Sequence, residues 1–186
     1  MAGSTTTGGF SPDTFLAKAG QMGGLARKWK YSVQILPPAG LAMNDMASEI
    51  EFLAMTVLMP RKGFSTTEHR TYGINRALPY ETTYEPILMT MMNTNDWKPR
   101  RFWDKWLEYI QKPMSLDLEY WRNYTGTITI NSFSDTAENP VPGQEDYSVE
   151  LIRAWPESIS AYGFGWDQSD IANFEISIRY LEWREL

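Results

Sequence analysis

We first consider the residues that could carry out acid–base chemistry. The chain has a single histidine, His69, which follows Glu68 in the stretch STTEHRTYG. Adjacent side chains of an extended segment point to opposite faces, so Glu68 would not orient the imidazole as a general base. No G-x-S-x-G sequence supplies a nucleophile. We therefore interpret His69 as a structural or surface residue.

The best candidates for metal binding are the carboxylates of Asp167 and Asp170 in the stretch DQSD. This stretch lacks the further oxygen ligands and the closing glutamate of a calcium loop, so it predicts a polar turn. The chain has no cysteine, which excludes disulfides and thiolate metal sites. The GFG stretch at 163–165 precedes a predicted strand rather than a helix, unlike a phosphate-binding motif. The sequence thus predicts neither a catalytic site nor a cofactor.

Composition indicates one globular domain rich in aromatic residues. The 186 residues include 8 Trp, 10 Tyr and 8 Phe, rings that can fill a core or a subunit interface. The net charge of −6 argues against a protein that grips nucleic acid by neutralising phosphates. We expect no secretion signal, and no apolar run approaches the roughly 20 residues that span a membrane. A small basic cluster is interpreted as a solvated helix face, or as a contact with an acidic partner: Lys98, Arg100, Arg101 and Lys105.

Hydrophobic periodicity predicts about six strands and one helix. Apolar and polar residues alternate in segments typical of half-buried strands: 29–36, 84–93, 126–133, 147–155 and 173–183. The apolar run 50–59 allows a strand or a short helix, and its β-branched residues favour a strand. An apolar stripe predicts a helix within 95–113, capped by Asn95 or Asp96. Residues 61–80 are interpreted as an extended loop or a loose hairpin, and residues 135–146 as a turn or loop.

These elements predict a mainly β protein. Because helices do not separate the strands, we expect an antiparallel β-sandwich or barrel with one flanking α-helix over residues 25–186. Residues 1–24 are rich in Gly, Ser and Thr and are interpreted as a flexible or neighbour-docking arm, with Phe10, Phe15 and Leu16 as its contacts. In LIRAWPESIS the strand is predicted to stop at Trp155–Pro156, with Trp155 closing the end of the core.

The order of several segments resembles the tail tube proteins of contractile-tailed bacteriophages. The matching segments are LARKWKYSVQILPP, VLMPRKGFSTTEHRTYGINRALPY, the Trp/Phe-rich helix, WRNYTGTITINSF, LIRAWPESIS and FEISIRYLEW. Trp155, Pro156 and Trp183 are the core residues that mark the family most clearly. The resemblance implies a structural protein without enzymatic activity or cofactor.

The resemblance also implies how such a protein assembles. Sheets of six subunits would join into a ring-shaped β-barrel, and rings would stack into a tube inside the sheath protein. A baseplate or tube initiator and a tail terminator would close the two ends, and genomic DNA would pass without specific binding. The protein would belong to the tail of the virion, assembled in the cytoplasm of the bacterial host.

Two sets of residues are candidates for contacts in such a tube. The long polar insertion between apolar strands predicts inter-ring contacts by Arg61, Lys62, Phe64, His69, Arg70 and Tyr72. Polar strand faces predict lumen-facing residues: Thr127, Thr129, Ser148, Glu150, Glu175 and Ser177. A tube initiator and a protein-injection tube of the type VI secretion kind remain open. A β-sandwich module that binds carbohydrate or a receptor is an alternative from another class.

Overall fold

A computed structural model of the chain describes residues 11–22, 24–70, 72–133, 147–161, 163–167 and 169–186. Within these residues it contains nine strands and four α-helices. In chain order they are α1 (Pro12–Gln21), β1 (Tyr31–Leu36), α2 (Asn44–Ile50), β2 (Ala54–Val57), β3 (Lys62–His69), β4 (Arg76–Tyr84), β5 (Ile87–Met92), α3 (Lys98–Ile110), α4 (Trp121–Tyr124), β6 (Gly126–Ser132), β7 (Tyr147–Ile159), β8 (Asn173–Arg179) and β9 (Glu182–Glu185). The turn predicted at 135–146 and the start of the N-terminal arm, with Phe10, lie outside the described residues.

The strand β7 connects two halves of one antiparallel sheet. Seven strands are ordered β1-β6-β7-β8-β5-β2, with β9 also beside β7. The first half of β7 pairs with β6 and β9, and β1 follows β6; we name these four strands the front sheet. The second half of β7 pairs with β8, followed by β5 and β2; we name these the back sheet. The mainly β fold with antiparallel sheets is confirmed, although the sheets do not close into a barrel within the chain.

Buried residues from both sheets meet in a single core. Alternate residues of β1 and β6, such as Val33 and Ile130, enter it from the front sheet, and Met89 and Ile176 enter it from the back sheet. This alternation confirms the predicted inward faces, because successive strand residues point to opposite sides. The polar faces of the two sheets therefore lie on the outside of the sandwich.

The predicted aromatic helix is confirmed as α3. Phe102, Trp103 and Trp106 are fully buried, and the two indole rings stack with centroids 5.4 Å apart. Each indole N–H has an acceptor: Trp106 donates to the carbonyl oxygen of Tyr124 at 2.8 Å and Trp103 to the sulfur of Met91 at 3.0 Å. The helix thus fills the core with rings whose polar atoms are satisfied.

The predicted helix cap was wrong in position. The residue before α3 is Trp97, in a left-handed conformation with φ of 59°, and its side chain makes no capping hydrogen bond. Asp96 lies one residue earlier and its carboxylate accepts from the main-chain N–H of Lys98 at 3.4 Å. Pro99 occupies the first turn, where the missing N–H carries no cost.

The strand predicted over 50–59 is mostly not a strand. Ala47 and Ile50 both reach the core from α2, because residues three apart lie on the same face of a helix. A 3-10 turn, Glu51–Leu53, follows, and only Ala54–Val57 form the short β2. The helix α1 was not predicted either. A reciprocal capping box between Ser11 and Thr14, with Pro12 in the first turn, begins it.

The prediction that pairing stops at Trp155–Pro156 was wrong. β7 continues to Ile159, and Pro156 lies opposite Ile178 of β8. Among the described residues this half of β7 pairs with β8 alone, so the proline occupies an edge, where its missing N–H is tolerated; a register shift follows it. Pro156 is buried, but Trp155 is half-buried outside the core, against the ring of Tyr124.

The bend of β7 lies one residue before the change of partner. Arg153 has a φ of 55°, a left-handed conformation that costs a non-glycine residue about 1–2 kcal/mol. Pairing with β6 ends at Ala154, and pairing with β8 begins at Trp155. The guanidinium of Arg153 lies 4.7 Å from the centre of the Trp121 ring, a cation–π contact that offsets part of this strain.

The closing strand predicted over 173–183 is divided in two. β8 pairs with the second half of β7 and β9 with the first half. Tyr180 and Leu181 separate them, opposite the bend of β7, and the N–H of Leu181 still donates to the carbonyl of Ile152 at 3.0 Å. The two strands thus follow β7 along its whole length, as a two-stranded ribbon shared by both sheets.

Candidate assembly surfaces

The strands β3 and β4 form a separate two-stranded sheet that projects from the sandwich. Pairing runs from Lys62 opposite Tyr84 to His69 opposite Arg76, so the hairpin predicted for this region is confirmed. At about 3.3 Å per residue, the eight residues of β3 extend roughly 26 Å. Nearly all its side chains are exposed. An isolated hairpin of this kind is marginally stable in water.

All six inter-ring candidates lie on this hairpin or at its base. Arg61 precedes β3 and pairs with Glu85 at 3.2 Å. The others lie along β3 and into the turn: Lys62, Phe64, His69, Arg70 and Tyr72. The turn also carries Ile74, which is 89% exposed, and Tyr72 is 99% exposed. Large apolar side chains exposed in this way mark a contact surface.

The edge strand β9 turns main-chain groups outward. Leu186 donates its N–H to the carbonyl of Ser148 at 3.1 Å, which makes these two residues a hydrogen-bonded pair across β9 and β7. Hydrogen-bonded and non-bonded pairs alternate along an antiparallel ladder. The main-chain groups of Glu182 and Arg184 therefore face β7, whereas those of Trp183 and Glu185 face away from it. Trp183 also packs its half-buried ring against the core.

The opposite edge of the front sheet, β1, is arranged in the same way but is covered at one end. Phe133 donates to the carbonyl of Lys30 at 3.1 Å, so by the same alternation Tyr31, Val33 and Ile35 turn their main-chain groups outward. The N–H of Ile35 donates to the Glu51 carboxylate at 2.7 Å. The side chain of Glu51 thus occupies one end of this edge, as natural proteins often cover edge strands.

Two substitutions of Glu51 should distinguish the effect of its hydrogen bond on stability from the effect of its charge. Burial raises the pKa of Glu51 above 4.5, and the hydrogen bond from Ile35 offsets part of this shift. A raised carboxyl pKa means that ionisation opposes folding. Glu51→Gln should therefore be more stable than the parent near neutral pH, with the difference shrinking as the pH falls towards 4.5.

Glu51→Ala is the matched variant, because it also removes the acceptor. Leaving the buried N–H of Ile35 without a partner should make Glu51→Ala about 1–3 kcal/mol less stable than Glu51→Gln at all pH values. Urea unfolding followed by circular dichroism at several pH values measures both variants. Equal losses of stability for the two substitutions would contradict this account.

The six lumen-facing candidates lie on two different faces. Thr127, Thr129, Ser148 and Glu150 are on the outer face of the front sheet, away from the core. On that face Thr129 lies opposite Glu150, which pairs with Arg184 at 2.5 Å. Glu175 and Ser177 lie on the outer face of the back sheet, where Ser177 donates to Glu157 at 3.2 Å. Sequence alternation could not separate the two groups, because both look alike along a strand.

The candidate surfaces are built from the described residues. These residues contain no group of three or more histidines or carboxylates placed to hold a metal ion. In the same part of the chain no helix has the length and apolar character to cross a membrane. What the residues bring together instead is an exposed hairpin, outward-facing sheet edges and two polar faces.

This architecture is shared with components of contractile injection systems. A chain of the PVC sheath/tube terminator in the extended state has 16% identity and a TM-score of 0.60, covering 87% of this chain and 96% of that chain. A chain of the PVC sheath-tube complex has 15% identity and a TM-score of 0.59, covering 96% and 99%. The tube-terminating cap of the anti-feeding prophage has 14% identity and a TM-score of 0.60, covering 87% and 91%. At these identities the likeness establishes the fold.

The family follows from the sequence itself. The phage tail tube protein family model matches residues 26–186, and the chain belongs to this family. It is therefore a phage tail tube protein by family, a structural component rather than an enzyme. A comparison with curated proteins gives no match.

Proposed function

We propose that this protein forms hexameric rings that stack into a hollow phage tail tube, through which genomic DNA leaves the particle. The proposal depends mainly on the geometry of the front sheet. Its two edges, β9 and β1, both turn main-chain groups outward, and its outer face is mostly polar, with the exposed Leu36 at the end of β1. Family membership supports the same conclusion, because an edge that would be a liability in a monomer is satisfied by the next subunit in a ring.

The strand directions of the front sheet favour ring closure. Its four strands are antiparallel neighbours in the order β9-β7-β6-β1, so β9 and β1 run in opposite directions. A neighbouring copy, rotated about the ring axis, would place its β9 beside β1 of the first copy. These two strands would also be antiparallel, so strand directions would alternate around the whole ring. Trp183 and Glu185 of one copy would then pair with the Tyr31–Val33 end of β1, which Glu51 leaves uncovered.

Ring closure through the front sheet decides which polar face lines the channel. The inner side of this sheet packs on the core, so its outer face must look into the lumen. Thr127, Thr129, Ser148 and Glu150 then line the channel, and Glu175 and Ser177 do not. The Glu150–Arg184 pair leaves this surface close to neutral, so DNA would slide without being held.

We assign the contact between stacked rings to the hairpin. It extends beyond the sandwich and exposes apolar side chains that the fold of one chain does not cover. Docking on a neighbouring ring would bury them. The sheath would surround the tube, a baseplate or initiator would begin it and a terminator would end it, in a virion assembled in the bacterial cytoplasm. A β-sandwich module that binds carbohydrate would instead remain a small soluble species.

Negative-stain electron microscopy of the purified protein tests the proposal. Hollow stacked rings are expected. Replacing Arg61 and Arg70 with glutamate should leave the sandwich folded but shorten or abolish the tubes, because both charges lie on the hairpin. Arg61→Glu also brings the new carboxylate and that of Glu85 together at the hairpin base.

Arg70→Glu alone is the cleaner variant, since it leaves the Arg61–Glu85 pair in place. Circular dichroism checks that each variant is folded. Tubes of unchanged length with both substitutions would count against the hairpin. A monodisperse monomer of the parent protein at high concentration would contradict the tube itself.

A further inference from the structure

We propose that the hairpin tip of one copy docks on the β7–β8 connection at the opposite end of the next copy. This inference rests on the proposed tube and adds the surface that receives the hairpin. We name that surface the receiving end. It comprises Phe52, Trp166, Asp167, Asp170 and Ile171.

The strand register places the hairpin and the receiving end at opposite ends of the back sheet. The hairpin leaves after Val57 and returns before Ile87, which lies opposite Ile178. The β7–β8 connection leads into Asn173, which lies opposite Met92 at the other end of β5. Six residues of β5 separate these ends by about 20 Å. Phe52 precedes β2 and belongs to the same end as Asn173.

The connection is fixed to the sandwich at both of its ends. Arg100 of α3 donates to the carbonyl of Ser160 at 2.9 Å, and Asn93 donates to the carbonyl of Ala172 at 2.8 Å. Between them, the rings of Phe164 and Trp97 lie 5.9 Å apart. The β7–β8 connection is therefore anchored by α3 and by the segment between β5 and α3, and such preorganisation favours docking.

The receiving end combines exposed apolar side chains with two acidic residues that are close to two of them in the chain. Trp166 is fully exposed, and Phe52 and Ile171 are 87% and 70% exposed. Asp167 and Asp170, interpreted from the sequence as a polar turn, are exposed and directly adjoin Trp166 and Ile171 in the chain. Large apolar side chains exposed at one end of the back sheet make that end a candidate interaction surface.

The hairpin tip has the complementary chemistry. Tyr72 and Ile74 are the exposed apolar residues of its turn. Arg70 and Arg76, both exposed, stand on either side of them. An apolar tip flanked by arginines fits an apolar surface flanked by aspartates, and complementary charges fix register and exclude wrong partners. The occupant is therefore a second copy of this chain.

Opposite placement of the two surfaces has a direct consequence for assembly. A contact between different surfaces of identical copies is heterologous, and it repeats without closing when copies are related by translation along an axis. Each ring would receive hairpins at one end and present hairpins at the other. Such a contact produces an open-ended stack with a defined polarity.

Reciprocal charge reversal tests this contact. Variant one carries Asp167→Arg and Asp170→Arg, and variant two carries Arg70→Asp and Arg76→Asp. Each alone should form rings but need roughly tenfold or more protein to stack, because like charges then meet. Mixed together they should form alternating stacks, since each hairpin now meets an opposite charge. Raised salt should weaken these mixed stacks.

Glu108→Arg on the exposed side of α3 is the control for an added positive charge, and it should stack like the parent. Stack length by electron microscopy and ring size by analytical ultracentrifugation are the readouts. Normal stacking of variant one, or failure of the folded variants to stack when mixed, would overturn the receiving end while leaving the tube intact. A parent chain that forms no rings would instead overturn the proposed function.

Discussion

Glu185→Pro is expected to leave a folded subunit that cannot close a ring. The main-chain N–H of Glu185 faces away from β7, so proline removes no bond of the β7–β9 ladder. Proline is tolerated on an edge strand for this reason. In the ring, however, the substitution deletes a donor and places a bulky ring where β1 of the next copy must pair. Analytical ultracentrifugation should show a shift from rings to monomers.

Glu185→Ala is the matched control. It removes the same carboxylate but keeps the main-chain N–H, so rings should persist. Near-ultraviolet circular dichroism, which reports the packing of the buried tryptophans, should be the same for both variants. Rings formed normally by the proline variant would show that the β9 edge is not a subunit contact.

Thr129→Lys should convert the proposed channel from one that DNA passes into one that holds DNA. Each ring would gain six lysines at one level, on the face that now carries the neutralised Glu150–Arg184 pair. If all six neutralised phosphates, the logarithm of the DNA affinity would fall with the logarithm of salt concentration with a slope of about −5. We expect short duplex DNA to be retained at low salt and protected from nuclease.

Ser177→Lys adds the same charge to the other polar face. DNA bound there would lie outside the tube and remain open to nuclease, so this variant distinguishes the two faces. Co-sedimentation of assembled tubes with labelled DNA, before and after nuclease treatment, measures both. Protection by the Ser177→Lys tubes and none by the Thr129→Lys tubes would reverse the assignment of the lumen.

Alternation predicted much of the fold because burial on one face repeats every two residues. Ile128 and Ile130 of β6, and Val149 and Leu151 of β7, were identified in this way. The helix α3 was equally clear from its apolar stripe. Where nearly every residue of a run was apolar, as at 50–59, the hydrophobic period alone could not distinguish a helix from a strand.

Proline gave a misleading signal for a physical reason. Proline has no main-chain N–H, so Pro156 would end pairing only if a neighbouring strand needed a donor at that position. Whether it does depends on which side of β7 the neighbouring strand lies. Likewise, the bend at Tyr180–Leu181 follows the bend of β7 at Arg153, a tertiary relation between distant segments. Neither feature is visible within the local sequence.

The candidate surfaces were predicted unevenly. The hairpin was suggested by a polar insertion between apolar strands, and the structure confirms the hairpin while its inter-ring role stays a prediction. The receiving end was missed, although Trp166 beside Asp167 in a turn was a usable signal. Its position relative to the hairpin depends on strand register, which the sequence does not specify.

The shared strand β7 also affects how the subunit unfolds. Because its two halves belong to the front and back sheets, neither sheet has a complete set of neighbours without the other. The two sheets are therefore expected to unfold in a single cooperative transition, rather than one after the other. The sandwich would therefore unfold as one unit rather than layer by layer, a property that would suit the wall of the proposed tube.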